Sequence, residues 1–485
     1  MFSLAHHVQS QVWSLIGQLR YQLFERHYIY TLRISLVVTT VLLTLITVIL
    51  FNEIGLFGLV LVAGVGALCA MVVVYNYLDR AVFLLLITTT IADPPLERDM
   101  TTTLLLLLLL VGIWLFRLVL IERSFHSVRP ALPNKIVVLF AVVVVISFLW
   151  SNTYVDLRVS YLQNDKLLPR IVTALVMILS PVAMLLFGNA MRTAGDLKRV
   201  IWYFIGYSTL PMMARILAVE LPSNFNMGGQ LSVWASVFAL GQVLFNHELN
   251  RYARLALVGV IAGWAYVQIS LGITWLSGWV PLALGAIILI FLRSRAAFVV
   301  VLVIAAVFAL TNSDFFQQVF AAETEESGET RVQAGAYALQ VAHDHFLFGT
   351  GPAGYYFYLT VYVGGLFQLS HNNYLDIYAQ TGIFGFAAWL ALWGAVGWTV
   401  WRAYRAAPPR GFLGGLAASL MAIYPITLLI MMLGDWVTPF TYTQTMRGFS
   451  YTIWPWLWAG MAIALNYIVH QEPPEATPHA EDHVH

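Results

Sequence analysis

The chain has one cysteine, little charge and no alternating polar–apolar pattern over strand-length stretches. The cysteine, Cys69, lies inside an apolar run, which excludes a disulfide framework and a cysteine-based metal site. Asp, Glu, Lys and Arg make up 10% of 485 residues, against 60% hydrophobic residues, and the mean hydropathy is +0.78. That balance excludes a soluble domain. The missing period of two argues against an outer-membrane barrel. No internal repeat relates the two halves, which argues against an inverted-repeat transporter. No cleavable signal peptide is expected either. Residues 1–30 instead alternate Trp13, Leu15, Ile16, Leu19 and Leu23 with polar and basic residues, as an interfacial amphipathic helix does.

What remains is apolar wall cut by short polar breaks. Runs near the bilayer-crossing length predict about fourteen helices. They fall at 31–51, 54–75, 80–92, 101–121, 135–151, 170–190, 200–219, 231–247, 254–271, 279–292, 296–311, 371–400, 411–433 and 451–470. The expected fold is all-α, a polytopic integral membrane protein of about 12–14 transmembrane helices with one large extracytoplasmic loop. Along the chain this gives an interfacial helix (1–30), an N-terminal transmembrane bundle (31–311), an extracytoplasmic loop with a short helix (312–370), C-terminal transmembrane helices (371–470) and a disordered tail (471–485).

Basic residues orient the spans. Of the 25 Lys and Arg, Arg98, Arg158, Lys166, Arg170, Arg331 and Arg447 fall on one side and Arg215 within a predicted helix; the rest fall on the other side. By the positive-inside rule the richer side, with both termini, is cytoplasmic. Cytoplasmic cations are then explained by topology, whereas the outer ones are not. Arg215 either faces a polar cavity or snorkels to the interface.

The main polar interlude, 312–370, is acidic up to Thr330. A short helix should follow from Arg331, with Thr330 as its cap and Glu329 at its favourable end. His343-Asp344-His345 would end it. Adjacent side chains diverge, so no metal site is expected there. Gly349-Thr350-Gly351-Pro352 makes a compact turn, open to a weak reading as a phosphate cradle. Tyr355, Tyr356, Tyr358 and Tyr362 suit either sugar stacking or packing. The chain re-enters the membrane at Ser370-His371-Asn372-Asn373-Tyr374-Leu375-Asp376, where Asn372, Asp376 and Gln380 form a stripe at helical spacing. Histidine changes charge near neutral pH, which suits a general base, and arginine grips phosphate bidentately. His371 with Arg331 therefore fits transfer chemistry on a phosphate-linked substrate.

The order of Phe346-Leu347-Phe348-Gly349-Thr350-Gly351-Pro352-Ala353-Gly354-Tyr355, then Ser370-His371-Asn372-Asn373-Tyr374-Leu375, then Thr381-Gly382-Ile383-Phe384-Gly385, resembles the O-antigen ligase and O-antigen polymerase superfamily of bacterial envelope glycosyltransferases. The resemblance covers 329–390. It implies transfer, without metal or cofactor, of a glycan from a polyprenyl-pyrophosphate donor to a glycan, lipid or protein acceptor. The reaction would invert the anomeric centre at the outer face of the bacterial inner membrane. Its partners would be these substrates and membrane lipids, with no nucleic acid. By position His371 is the implied base and Arg331 the implied pyrophosphate ligand. Arg215, Asn372, Asp376, Arg170, Arg447 and Tyr374 are the substrate-binding candidates. Two positions depart from the pattern. Relatives often carry a Ser-Arg-Gly-like motif where this chain has Leu276-Ser277-Gly278-Trp279, and an acid where it has Gln380. The alternative readings are a multi-helix transporter or flippase and a non-catalytic subunit of an envelope assembly complex.

Overall fold

A computed structural model describes residues 78–90, 101–121, 128–129, 131–160, 167–222, 225–226, 228–272, 275–323, 329–363, 370–440 and 446–471. The expected interfacial helix 1–30, the spans 31–51 and 54–75 and the tail beyond Gln471 lie outside the described residues. The described residues form helices α1 (Leu78–Thr90), α2 (Thr102–Phe116), α3 (Leu132–Thr153), α4 (Leu167–Ala190) and α5 (Ala194–Ile216). Then come α6 (Leu231–Phe245), α7 (Arg251–Ser270), α8 (Leu276–Arg293), α9 (Arg295–Thr311) and α10 (Ser313–Glu323). The last are α11 (Glu329–Asp344), α12 (Tyr355–Val363), α13 (Asn373–Ala406), α14 (Gly411–Leu433) and α15 (Trp454–Gln471). Among the described residues 8 helical stretches are long and apolar enough to cross a membrane, those of α2, α3, α4, α7, α8, α13, α14 and α15. The protein is an all-α polytopic membrane protein. Helix starts follow capping chemistry. Thr193 and Asp196 form a reciprocal capping box for α5, and Asn250 and Ser294 cap α7 and α9.

The bundle is built around α15, which packs on α4, α5, α13 and α14. Its span is 83% buried, against 28% for α7 and α8. Trp454, Trp456 and Trp458 are therefore core residues. Phe204 of α5 and Phe238 of α6 meet Trp458 edge-on, at 4.8 and 5.0 Å. α15 approaches α4 closely because Gly460 has no side chain: a Cβ there would lie 2.6 Å from the Met184 carbonyl oxygen. At the periphery α9 has no fully buried residue, and Val299, Val303 and Ile304 point outward, as suits a helix facing lipid.

The 312–370 segment is more helical than its composition suggests. Its acidic first part includes α10, and Thr330 lies inside the first turn of α11 rather than capping it. α11 and α12 share a small apolar core: Ala338, Val341, Ala342, Tyr355, Phe357 and Tyr358 pack with Val159, Ala379 and Phe440. Tyr355 and Tyr358 are thus packing residues. The α3–α4 loop is tied to the end of α11 by charge. Arg158 pairs with Asp156 at 2.7 Å, while Asp344 and His345 lie 4.0 Å from Arg158 and Asp156 respectively.

Candidate active site

The site is organised by a break in α13. Gly382 has φ 65° and ψ −167°, a region open in practice to glycine alone. The break removes intrahelical partners from nearby carbonyls and amides. The turn that follows α11 supplies replacements. Thr350 and Gly351 N–H donate to the Ala379 and Gln380 carbonyls at 3.0 Å each, and Ile383 N–H donates to the Phe346 carbonyl at 2.7 Å. Ser147 Oγ of α3 adds a 2.7 Å bond to the Gln380 carbonyl, and the Ala353 N–H donates to Gln380 Oε1 at 2.7 Å. The Gly-Thr-Gly-Pro and Gly-Ile-Phe-Gly motifs are thus two halves of one joint. The phosphate-cradle reading of Gly349 and Gly351 is corrected by this arrangement. Gly349 N–H bonds the His345 carbonyl at 2.9 Å, and the turn's remaining amides face helix carbonyls rather than an open anion site.

Beneath this joint lies Arg170, 2% exposed, whose Nη2 donates to Ser151 Oγ at 2.5 Å and Nη1 to Asn152 Oδ1 at 2.9 Å. A Cβ on Gly351 would meet both Ser151 Oγ and Arg170 Nη2. Arg170 therefore buttresses the turn from α4.

The joint fixes the first two turns of α13, and these fix His371. Asn372 caps the helix, its Oδ1 accepting from Tyr374 and Leu375 N–H at 3.0 and 3.3 Å. Ser370 Oγ donates to Asp376 Oδ1 at 2.7 Å, and the Tyr355 hydroxyl donates to the same oxygen. Burial, with the Asp376 and Asp435 charges nearby, holds the Tyr355 phenol well above its usual range, so it remains a donor. His371, between two anchored neighbours, has φ 47°, uncommon for a residue with a side chain. Its Nδ1 lies 3.3 Å from Asp435 Oδ2; the imidazole is 31% exposed and the carboxylate 0%.

Asp435, in the segment after α14, is the residue that sequence reasoning missed. It is held by Asn373, whose Nδ2 donates to the Thr438 carbonyl at 2.8 Å and whose Oδ1 accepts from Val437 and Thr438 N–H at 3.0 and 3.3 Å. Trp456 Nε1 adds a 2.9 Å bond to the Val437 carbonyl. A signal was available: a lone acid in an apolar stretch at a helix end, the same feature that singles out Asp376.

The other candidates are spread around this centre. Arg331 is half-buried on α11, on the stripe with buried Ala334 and Ala338 that faces α13. Tyr374 OH donates to the Leu428 carbonyl of α14 at 3.0 Å. Asp376 is buried next to Asp435, and Gln380 Nε2 bonds the Asp376 carbonyl at 3.0 Å. Arg215, in the last turn of α5, and Arg447, on the turn Met446–Gly448, are exposed on separate segments. Where relatives carry arginine, the start of α8 has no room. A Cβ on Gly278 would lie 2.4 Å from Gln268 Oε1 and from the Trp275 ring, and Gln268 is itself fixed by a 2.7 Å bond to Ser232. That start is nevertheless a neighbour of the Asp435 segment, since Trp275 meets Trp436 at 6.0 Å.

Residues 252–390 match the family model described as O-antigen ligase. Over these residues the chain is similar to that family. The matched region runs from α7 to the first half of α13. It takes in the α8 start, Arg331, the Gly-rich turn, His371 and the Gly382 break, but not Asp435. No curated protein matches the chain. With the membrane-spanning helices, this similarity supports a membrane protein of the ligase and polymerase type.

Proposed function

We propose that the protein transfers a glycan from a polyprenyl-pyrophosphate donor to an acceptor hydroxyl at the extracytoplasmic face of the bacterial inner membrane, as an O-antigen ligase or polysaccharide polymerase. The His371–Asp435 pair carries this reading: a partly open imidazole whose Nδ1 faces a buried carboxylate. Nδ1–H donating to Asp435 leaves the Nε2 lone pair free for a substrate proton. The acceptor oxygen attacks the anomeric carbon while its proton passes to Nε2. The bond from that carbon to the pyrophosphate oxygen breaks, and the electron pair leaves with the pyrophosphate. Attack opposite the leaving group inverts the centre. Arg331, on the α11 face turned toward α13, is the proposed ligand of the departing charge. Asp435 acts through His371, as a positioning residue.

Transfer by purified protein from a synthetic polyprenyl-pyrophosphate glycan tests this. His371→Ala should lower turnover by about 10²–10⁴-fold, the usual contribution of a general base. Asp435→Asn should lower turnover by about 10²-fold or more, with donor KM and melting temperature little changed, because an amide can no longer hold the Nδ1–H tautomer. Full turnover in either variant removes that residue from the mechanism. Arg331→Ala should raise donor KM.

A further inference from the structure

At the far end of α13 from His371 lies a cavity of about 600 Å³, between the end of α8, the end of α13 and the start of α14. Arg293, Arg405 and Arg410 line it, with His247 and Tyr404. Topology accounts for arginines on this face, but not for three of them around one concavity. Glu248 lies beside Gly411 but does not line the cavity. Among the described residues none of the three guanidiniums is paired with a carboxylate. Arg293 Nε donates to the Leu244 carbonyl at 3.2 Å, and Arg405 lies over the Trp401 ring at 5.6 Å. Three converging like charges raise the local potential and favour an anion between them. Apolar rings lie on the helices that end at the cavity: Trp401, under the Arg405 guanidinium, is exposed, as are Phe291 and Trp398 on the same helices. A soluble anion would gain nothing from those rings, whereas a lipid places its phosphate in the cavity and its acyl chains against them.

We infer that this cavity is a binding site for the phosphate-bearing headgroup of an anionic phospholipid, on the membrane face opposite His371. It is independent of the glycan chemistry.

The test is native mass spectrometry and thermal unfolding of the full-length protein in detergent. Dioleoyl-phosphatidylglycerol, dioleoyl-phosphatidylcholine or sodium phosphate is added. The wild type should retain and be stabilised by phosphatidylglycerol, not by phosphatidylcholine. The variant R293Q/R405Q/R410Q should bind phosphatidylglycerol about a hundredfold more weakly, from the usual contribution of cations at an anionic lipid surface. R251Q/R254Q/R402Q, which removes the same charge from the same face outside the cavity, should bind as the wild type does. Equal binding of the two lipids by the wild type overturns the inference, as does equal loss in both variants or none in the first. Stabilisation by sodium phosphate equal to that by phosphatidylglycerol assigns the cavity to a soluble anion and overturns the lipid. The wild-type comparison decides even if the triple variant fails to fold.

Discussion

The two ends of α13 use polar residues in opposite ways. At the His371 end, Ser370, Asp376, Tyr355, Asn373 and Gln380 are buried and bonded to one another or to backbone from other segments. At the Arg405 end, guanidiniums are exposed around an open cavity and have no carboxylate partner among the described residues. A polar group removed from water is costly unless hydrogen-bonded, so the first end must interlock and becomes rigid. The second keeps its hydration, and its charges stay available to a ligand. One end is held in a single arrangement by its neighbours, and the other is open to exchange.

Damage to the interlocked end should therefore be far more disruptive. The largest effect expected is from Gly382→Ala. Its Cβ would meet the Leu347 carbonyl oxygen at 2.3 Å, in a conformation that alanine resists. The joint between α13 and the Gly-rich turn should open, with a loss of about 3 kcal/mol or more. Melting of the purified protein would show it, and a wild-type transition in that variant would mean that the break is not held by this joint. Asn373→Ala comes next. It removes three bonds and leaves the Val437 and Thr438 amides buried without acceptors, so about 2 kcal/mol should be lost. Transfer should fall with it, because the same bonds place Asp435.

A smaller effect should appear with pH at the edge of the interlocked end. Burial holds the His345 imidazole below its ordinary value of 6.5, so the unfolded chain takes up a proton more readily than the folded one. Stability from this residue is full above 6.5 and declines as the pH falls below it toward the folded value. The Arg158 hydrogen bond holds Asp156 below its ordinary 3.8; that contribution is present above 3.8 and is lost at lower pH, in the same direction. Amide protection factors in 154–160 and 341–348, which correct for the base-catalysed intrinsic rate, should be lower at about pH 5.5 than at about pH 7.5, and His345→Gln should remove most of the difference. Identical protection factors at both pH values would mean that the α3–α4 loop is not held through His345.

Much of the fold could be read from apolar run lengths, because in a bilayer a helix is nearly the only way to satisfy the backbone. The spans expected at 135–151 and 411–433 lie within α3 and α14. The segment 312–370 was harder. Its helices are held by contacts with Val159 and Phe440, distant in sequence, and composition cannot show those. The Gly-rich motifs were legible as a family signature but not as a joint, since the bonds that unite them link residues about thirty positions apart. His371 stands out in the sequence by its place at a membrane boundary. Asp435 was equally marked but has no partner nearby in sequence, so its role depends on a fold-level contact. Gly278 looked like a missing arginine; packing against Gln268 and Trp275 shows that the space is already filled.

The smallest effect should come from the open end, where Arg405→Gln tests the comparison most directly. Arg405 is exposed and lies over the Trp401 ring at 5.6 Å. A solvated cation contributes little to folding, so in lipid-free detergent the change should stay within about 0.5 kcal/mol of the wild type. Asn373→Ala at the other end of the same helix should cost several times more under the same conditions. Adding phosphatidylglycerol should then separate the two variants in the reverse sense. Asn373→Ala keeps the lipid's stabilisation on top of its lower baseline, while Arg405→Gln loses part of it from an unchanged one. If Arg405→Gln is as destabilising as Asn373→Ala without lipid, the open end is part of the framework and the contrast between the two ends fails.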